Sequence, residues 1–236
     1  MLRARAPGVH RPLRRACALV EYARWRLAGA DTAGAGSDAY GDDFWDLHAD
    51  AAWDWSGFAA CILRHTRPRS VVDIGCGDAK LLEAMRRHEP ALVARGYDGS
   101  AAARSRAARR GIDVEPVDFA RLSGPAAADL RDACAAFDTA LCLEVAEHLL
   151  PWHAGRLLGV LSACRTIVFS AAHPGQGGTL HVNERPASYW ARRFARLGYR
   201  LADDDAAFGQ ELAALSLPSW YAQNAHLFTR RSPAGR

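Results

Sequence analysis

From Ser70 onward the chain alternates short apolar runs with amphipathic stretches. The apolar runs at Ser70–Ile74, Leu92–Tyr97, Asp113–Glu115, Thr139–Leu143, Thr166–Ser170, Tyr199–Leu201 and Gln223–Thr229 predict strands. Between them Lys80–His88, Ala101–Arg110, Ala126–Ala135, Pro151–Ala163 and Pro186–Leu197 predict helices. Tyr189, Phe194 and Leu197 fit one face of the last of these, and Gly198 stops it. Strand and helix in regular alternation predict an α/β fold: a mostly parallel sheet with helices on both faces. No internal repeat interrupts the rhythm.

The residues before Ser70 break this pattern. Residues 1–15 are rich in Arg and Pro and are expected to be poorly ordered. Arg14 to Leu27 has the pattern of a short basic amphipathic helix, read as a packing or lid helix in preference to a membrane-surface one. Ala30 to Gly36 is a small, Gly-rich linker. The expected organisation is therefore an N-terminal arm over 1–36 and one domain over 37–236. Tyr40, Phe44, Trp45, Trp53, Trp55 and Phe58 lead into a helix ending near His65, and this aromatic segment is expected to cover a ligand pocket.

Bulk properties narrow the class. A chain of 236 residues supports one well-packed domain, and 50% hydrophobic with 24% charged residues is ordinary for a globular protein. The net charge of +4 comes from arginine, since Lys80 is the only lysine. With the abundant alanine, that bias points to a GC-rich bacterial genome. So small a charge gives no argument for DNA binding, and no basic stripe with interleaved aromatics supports RNA. Cys17, Cys61, Cys76, Cys134, Cys142 and Cys164 form no CxxC pair, so reduced thiols and a cytoplasmic location are expected. No apolar run approaches the roughly 20 residues that span a bilayer.

The chemistry concentrates after the first strand, in Val71-Val72-Asp73-Ile74-Gly75-Cys76-Gly77-Asp78-Ala79-Lys80. Two glycines one residue apart turn a strand into a helix and leave the loop open to a ligand. A dinucleotide fingerprint would place a third small residue where Lys80 stands. Asp73 and Asp78 flank the turn, where carboxylates repel phosphate and attract a cation. S-adenosylmethionine carries an ammonium and a sulfonium and no phosphate, so the loop reads as its cradle, with Asp73 placed to hold the ammonium. Asp98 follows Gly77 by 21 residues, at the end of the second strand, where an acid accepts both ribose hydroxyls. Asp118 ends the third strand, positioned for the adenine amino group, with Phe119 beneath the ring.

These blocks, with Phe137-Asp138-Thr139-Ala140-Leu141-Cys142-Leu143-Glu144-Val145-Ala146-Glu147-His148, resemble the class I SAM-dependent methyltransferases in order and spacing. The resemblance runs from about Tyr40 to the C-terminus. It implies a Rossmann-like seven-stranded sheet, mostly parallel, with an antiparallel last strand. It also implies cofactor contacts from Asp73, Gly75, Cys76, Gly77, Asp98, Asp118, Phe119 and Leu143.

Glu144, Glu147 and His148 follow the fourth strand and are expected to open a helix, where spacings of three and four set them on one face. Two close carboxylates repel unless a cation lies between them. A second cluster follows the fifth strand, His173-Pro174-Gly175-Gln176-Gly177-Gly178-Thr179-Leu180-His181-Val182-Asn183-Glu184, as a mobile loop able to swing His181 over the pocket. The Glu-x-x-Glu-His block is similar to that of small-RNA 2′-O-methyltransferases and ubiquinone-pathway O-methyltransferases. That likeness implies a divalent metal (Mg, Mn or similar) on Glu144, Glu147, His148 and His181. Two other readings stand beside it: a metal-free site with a histidine base, and a structural role. The catalytic candidates are His148, His181, Glu147 and His173. His10, His65, His88 and His226 read as surface or packing residues.

The leading expectation is methyl transfer from S-adenosylmethionine to a hydroxyl of a small-molecule acceptor, because a hydroxyl needs deprotonation and the pocket is rich in bases. N-methylation and RNA 2′-O-methylation are the alternatives. A non-catalytic SAM-binding protein is the alternative from another class, and the intact acceptor side argues against it. A nicotinamide-dependent oxidoreductase is opposed by Lys80 and the acidic loop.

Overall fold

A computed structural model describes residues 41–49, 52–178 and 180–231. The arm over 1–36, its helix Arg14–Leu27, Tyr40 and Cys17 lie outside the described residues. Helices α1 (Asp42–Ala49) and α2 (Trp55–Thr66) precede the sheet. Asp54 caps α2, its carboxylate accepting from the Gly57 amide at 2.7 Å, and Arg67 ends it in the left-handed region at φ 44°. Then come β1 (Ser70–Ile74), α3 (Lys80–His88), β2 (Val93–Asp98), α4 (Ala101–Arg109), β3 (Val114–Pro116), α5 (Gly124–Cys134) and β4 (Thr139–Leu143). The chain finishes with α6 (Pro151–Leu161), β5 (Thr166–Ser170), α7 (Ala187–Arg196), β6 (Tyr199–Leu201), α8 (Asp205–Ala213), α9 (Ser219–Asn224) and β7 (His226–Arg230).

The seven strands form one sheet in the order β3-β2-β1-β4-β5-β7-β6. The first five in that order pair in parallel, and β7 runs antiparallel to both neighbours, β5 and β6. The seven expected strands and the antiparallel last strand are present, with ends shifted by up to three residues. Three helices among the described residues escaped the pattern, α1, α8 and α9. Helix α9 has six residues and opens after Pro218, too short for a hydrophobic period to register.

Successive side chains of a strand point to opposite faces, and both faces here are buried. Val72, Ala140, Ile167 and Phe169 face α5, α6 and α7 with Leu130, Leu157 and Phe194. Val71, Leu141, Val168 and Leu227 face the opposite layer, with Phe58 and Ile62 of α2, Leu82 and Met85 of α3, and Phe208 of α8. Gly198 stops α7 at φ 86°, as expected, but Leu197 stays 38% exposed at that stop and Trp190 is buried beside Phe194. The five cysteines among the described residues are free thiols. Among the described residues no helix is long and apolar enough to cross a membrane.

Candidate functional site

Strand order reverses between β1 and β4, and a crevice forms at the carboxyl ends of strands where that happens. A cleft of about 760 Å³ lies there, within the roughly 300–1,000 Å³ usual for small-molecule sites. Gly75 and Gly77 turn its floor at φ 80° and 57°. A Cβ at Gly75 would stand 2.4 Å from Val145 Cγ2, and one at Gly77 2.5 Å from Trp45 Cη2. Trp45 comes from α1, which therefore sits over the loop. Its indole donates to Ser100 Oγ at 3.3 Å, and Arg106 pairs with Asp42 at 3.2 Å and Asp46 at 2.7 Å to fasten the helix to α4. Phe44, Trp53 and Trp55 also line the cleft, as expected of the aromatic segment, but Phe58 is buried in the core and does not reach it.

The acids divide by environment. Asp73 is buried and lines the cleft; burial first, then the Asp98 charge, pushes its carboxyl up to about 7. Asp78 also lines the cleft, but Arg110 at 3.2 Å and Lys80 at 3.7 Å neutralise it. The expected pair of cation-attracting acids is thus one acid, Asp73. Asp98 accepts the Gly77 amide at 2.8 Å on one oxygen and the Ser100 amide at 2.7 Å on the other. Burial raises its carboxyl, and these two amides offset part of that rise. Each oxygen keeps a second lone pair for a hydroxyl donor.

Asp118 and Phe119 reach the cleft as a short 3₁₀ turn. One Asp118 oxygen caps that turn, accepting from Ala120 at 2.9 Å and Arg121 at 3.1 Å, and the other faces the Arg121 guanidinium at 3.5 Å. Cys76 and Leu143 line the cleft as well. The Cys76 thiol, raised by burial, donates to the Gly77 carbonyl at 3.7 Å.

On the acceptor side the expected helix is absent. Glu144 sits in the left-handed region at φ 55°, Ala146–His148 form a 3₁₀ turn, and α6 begins only at Pro151. Pro151 accounts for this: a proline drives the residue before it to extended backbone, and Leu150 has ψ 150°. Glu144, Glu147 and His148 therefore share a turn and not a helical face. Glu144 is drawn aside, its two oxygens accepting from Gln176 at 3.0 Å and Asn224 at 3.2 Å. Glu147, His148 and His181 do converge, with donor atoms within 4.8 Å of one another. The two imidazoles meet edge to face, 4.8 Å between centroids. Glu147 is fully buried; the Glu147 and Ala172 backbone amides and the Glu144 carboxyl act on its carboxylate, but none meets full hydrogen-bond geometry. Burial, then the Glu144 charge, holds its carboxyl well above the ordinary range.

In this structure the described residues of the glycine-rich loop are held by hydrogen bonds. Glu184 accepts the amides of Gly175 at 2.6 Å and Gly177 at 2.7 Å. Val182 and Asn183 both donate backbone amides to the Glu147 carbonyl at 2.9 Å. His181 is thus held at the cleft and needs no swing. His173 lies outside the cleft lining, its amide turned to the Gln176 carboxamide at 3.3 Å, so it is no part of the converged set. Of the histidines read as packing residues, His88 and His226 bond to Ser56 and Asp205. His65 is held between Asp204 and Glu211.

Residues 56–207, more than half of the chain, match the family described as "Methyltransferase domain". The chain belongs to this methyltransferase family. No curated protein matches it by sequence. Among solved structures, DesVI from Streptomyces venezuelae is similar with a TM-score of 0.56 and 12% identity, over 80% of this chain and 98% of that one. The sugar N-methyltransferase KedS8 from Streptoalloteichus sp ATCC 53650 is similar at 0.54 and 15%, over 80% and 93%. The methyltransferase domain of bacterial CtHen1-C is similar at 0.53 and 17%, over 75% and 97%. At these identities the likeness is one of fold. The methyltransferase fold implies S-adenosylmethionine as methyl donor.

Several residues of this methyltransferase site were not singled out from the sequence. Glu184 bonds His181, Gln176 and Asn224 restrain Glu144, and Tyr221 lines the cleft from α9. Only Glu184 carried a usable signal, an acid three residues after a histidine in a glycine-rich loop. Gln176 lies in that same loop without a distinguishing signal, and Asn224 and Tyr221 meet the site only through the fold of the last thirty residues.

Proposed function

We propose that the protein transfers the methyl group of S-adenosylmethionine to a hydroxyl oxygen of a small-molecule acceptor. Asp98 holds the ribose hydroxyls, Asp73 the ammonium, and Asp118 with Phe119 the adenine, the glycine turn admitting the methionine part. The acceptor oxygen bonds to the methyl carbon as the carbon–sulfur bond breaks, and the sulfur keeps the electron pair as S-adenosylhomocysteine. The hydroxyl proton leaves to a base of the pocket.

The observation that carries the acceptor side is Glu147: a fully buried carboxylate with no well-formed hydrogen bond, close to a second carboxylate and beside two imidazoles. Leaving such a group unpaired is costly, and a cation removes the cost. Glu147, His148 and His181 would hold a divalent ion, with Glu144 beside them. Carboxylate and imidazole donors suit Mn, Fe, Co or Zn at least as well as Mg. Such an ion supplies Lewis acidity that lowers the pKa of an acceptor hydroxyl. The metal-free reading keeps one specific support: Glu184 stands behind His181 as a carboxylate stands behind a histidine base.

The deciding experiment follows S-adenosylhomocysteine release over a panel of hydroxyl and amine acceptors and a short RNA, with and without EDTA and added Mn²⁺. Turnover of hydroxyls, lost in EDTA and restored by Mn²⁺, is the expected result. Full turnover in EDTA replaces the ion with a histidine base. Turnover of amines alone, or of RNA alone, overturns the acceptor.

A further inference from the structure

A second cluster of ligating side chains lies away from the cleft, and none of its members lines it. Cys61 and His65 stand four residues apart on one face of α2, and Glu211 faces them from α8. The thiol, imidazole and carboxylate donor atoms lie within 4.8 Å of one another. A tetrahedral zinc ion sets its ligands roughly 3.3–3.8 Å apart, so a contraction of about 1 Å would close the set. Cys61 is fully buried and the His65 side chain is 11% exposed.

A fourth residue makes this more than a chance grouping. The His65 Nδ1 lies 2.7 Å from an Asp204 carboxylate oxygen, while Nε2 points to Glu211 at 3.2 Å. A carboxylate accepts only, so without an ion each ring nitrogen donates to a carboxylate; an ion that displaces the Nε2 hydrogen would find that nitrogen aimed at the cluster while Asp204 keeps the Nδ1 hydrogen. Histidines that bind metals are oriented in this way, with the far nitrogen on a carboxylate. Charge agrees. Asp204 and Glu211 bring two negative charges, and Arg64, bonded to Glu211 through a mostly exposed side chain, brings one positive. When the thiol gives its proton to solvent, a divalent ion restores neutrality.

We propose that Cys61, His65 and Glu211 form a binding site for zinc or a similar soft divalent ion, with Asp204 orienting the histidine and water completing the coordination. The site ties α2 to α8 behind the sheet. It is independent of the cleft and of any ion there.

The test uses the full-length reduced protein titrated with Co²⁺, followed by absorption, with zinc content from elemental analysis. A thiolate ligand gives a sulfur-to-cobalt charge-transfer band in the near ultraviolet, and the Glu147 cluster has no sulfur to produce one. The expected result is that band at one equivalent, abolished in Cys61→Ser and retained in Glu147→Gln. In the Glu147→Gln background, which removes the cleft cluster's carboxylate, Asp204→Asn, at a half-exposed position that leaves the core intact, should weaken zinc affinity by at least tenfold. It reads the site even where Cys61→Ser fails to fold. No band at stoichiometric Co²⁺, a band that survives Cys61→Ser, or unchanged zinc affinity in Asp204→Asn overturns the proposal and leaves these residues as a hydrogen-bonded ion-pair network.

Discussion

The Nδ1 of His181 lies 3.2 Å from the Oε1 of Glu184. Glu184 is itself held by two backbone amides, of Gly175 and Gly177, and these with His181 lower its carboxyl despite partial burial. An ionised carboxylate accepts only, so Nδ1 carries the hydrogen and Nε2 is the nitrogen with the free lone pair. In this structure Glu184 thus ties the loop to one imidazole and orients it.

Glu184→Gln tests this orientation. The amide keeps the size but only one acceptor oxygen, so the charge behind His181 is lost and one of the Gly175 and Gly177 amides loses its partner. Mn²⁺ affinity at the cleft should fall about 10–100-fold while SAM affinity is unchanged. Calorimetry with each ligand separates the two. Equal Mn²⁺ affinity in both proteins would remove Glu184 from the site.

Gly178 offers a complementary test. A Cβ there would stand 2.3 Å from His181 Nε2, so Gly178→Ala must displace the ring. Acceptor turnover should drop with SAM binding intact, and a wild-type rate would show that the imidazole position is immaterial.

The sheet was legible because each strand is an apolar run with its helix at a separate period. The cofactor half of the cleft was legible for the same reason: Gly75, Gly77 and Asp98 lie at strand ends, where spacing maps onto position. The acceptor half was less so. Spacing alone placed Glu144, Glu147 and His148 on a helix, but Pro151 delays that helix and the left-handed turn at Glu144 sends its carboxylate to Gln176 and Asn224. Asp118 is spent partly on capping its own turn. Such competition among local partners is settled in three dimensions.

Asp98→Ala should weaken SAM by roughly 1–3 kcal/mol, since it removes charge-assisted acceptors. It also releases the Gly77 and Ser100 amides, so part of the loss is disorder of the turn. Asp98→Asn, which retains an acceptor oxygen, should recover part of the affinity. Equal affinity for wild type and Asp98→Ala by calorimetry would move the ribose elsewhere.

Asp73 makes SAM binding proton-linked. In the free protein its carboxyl is raised to about 7, so near pH 6 it is mostly protonated. An ammonium ligand favours the ionised form and expels that proton. SAM affinity should therefore rise with pH up to about 7 and then level. Calorimetry at pH 6 in buffers of different ionisation enthalpy should report net proton release that fades by pH 8. Asp73→Asn should abolish the release. A pH-independent affinity for wild type would place the ammonium away from Asp73.

Glu147→Gln separates the two costs that meet at one residue. The Glu147 carboxyl is raised above its unfolded value by burial and the Glu144 charge. A group of this sign contributes stability fully present below the unfolded pKa and lost as pH rises through the folded one. Without divalent ions the wild type should thus lose stability on passing from about pH 5 to 8. Gln is close in shape and cannot ionise, so the variant should lose less over the same interval and be the more stable protein at pH 8. With Mn²⁺ present the order should reverse, because only the carboxylate binds the ion and binding to the native state alone stabilises it. Acceptor turnover should vanish in the variant while SAM affinity stays at the wild-type value. Thermal unfolding at the two pH values, with EDTA or Mn²⁺, reads all of these shifts. If the two proteins respond alike to Mn²⁺, Glu147 binds no ion and its burial serves the fold alone.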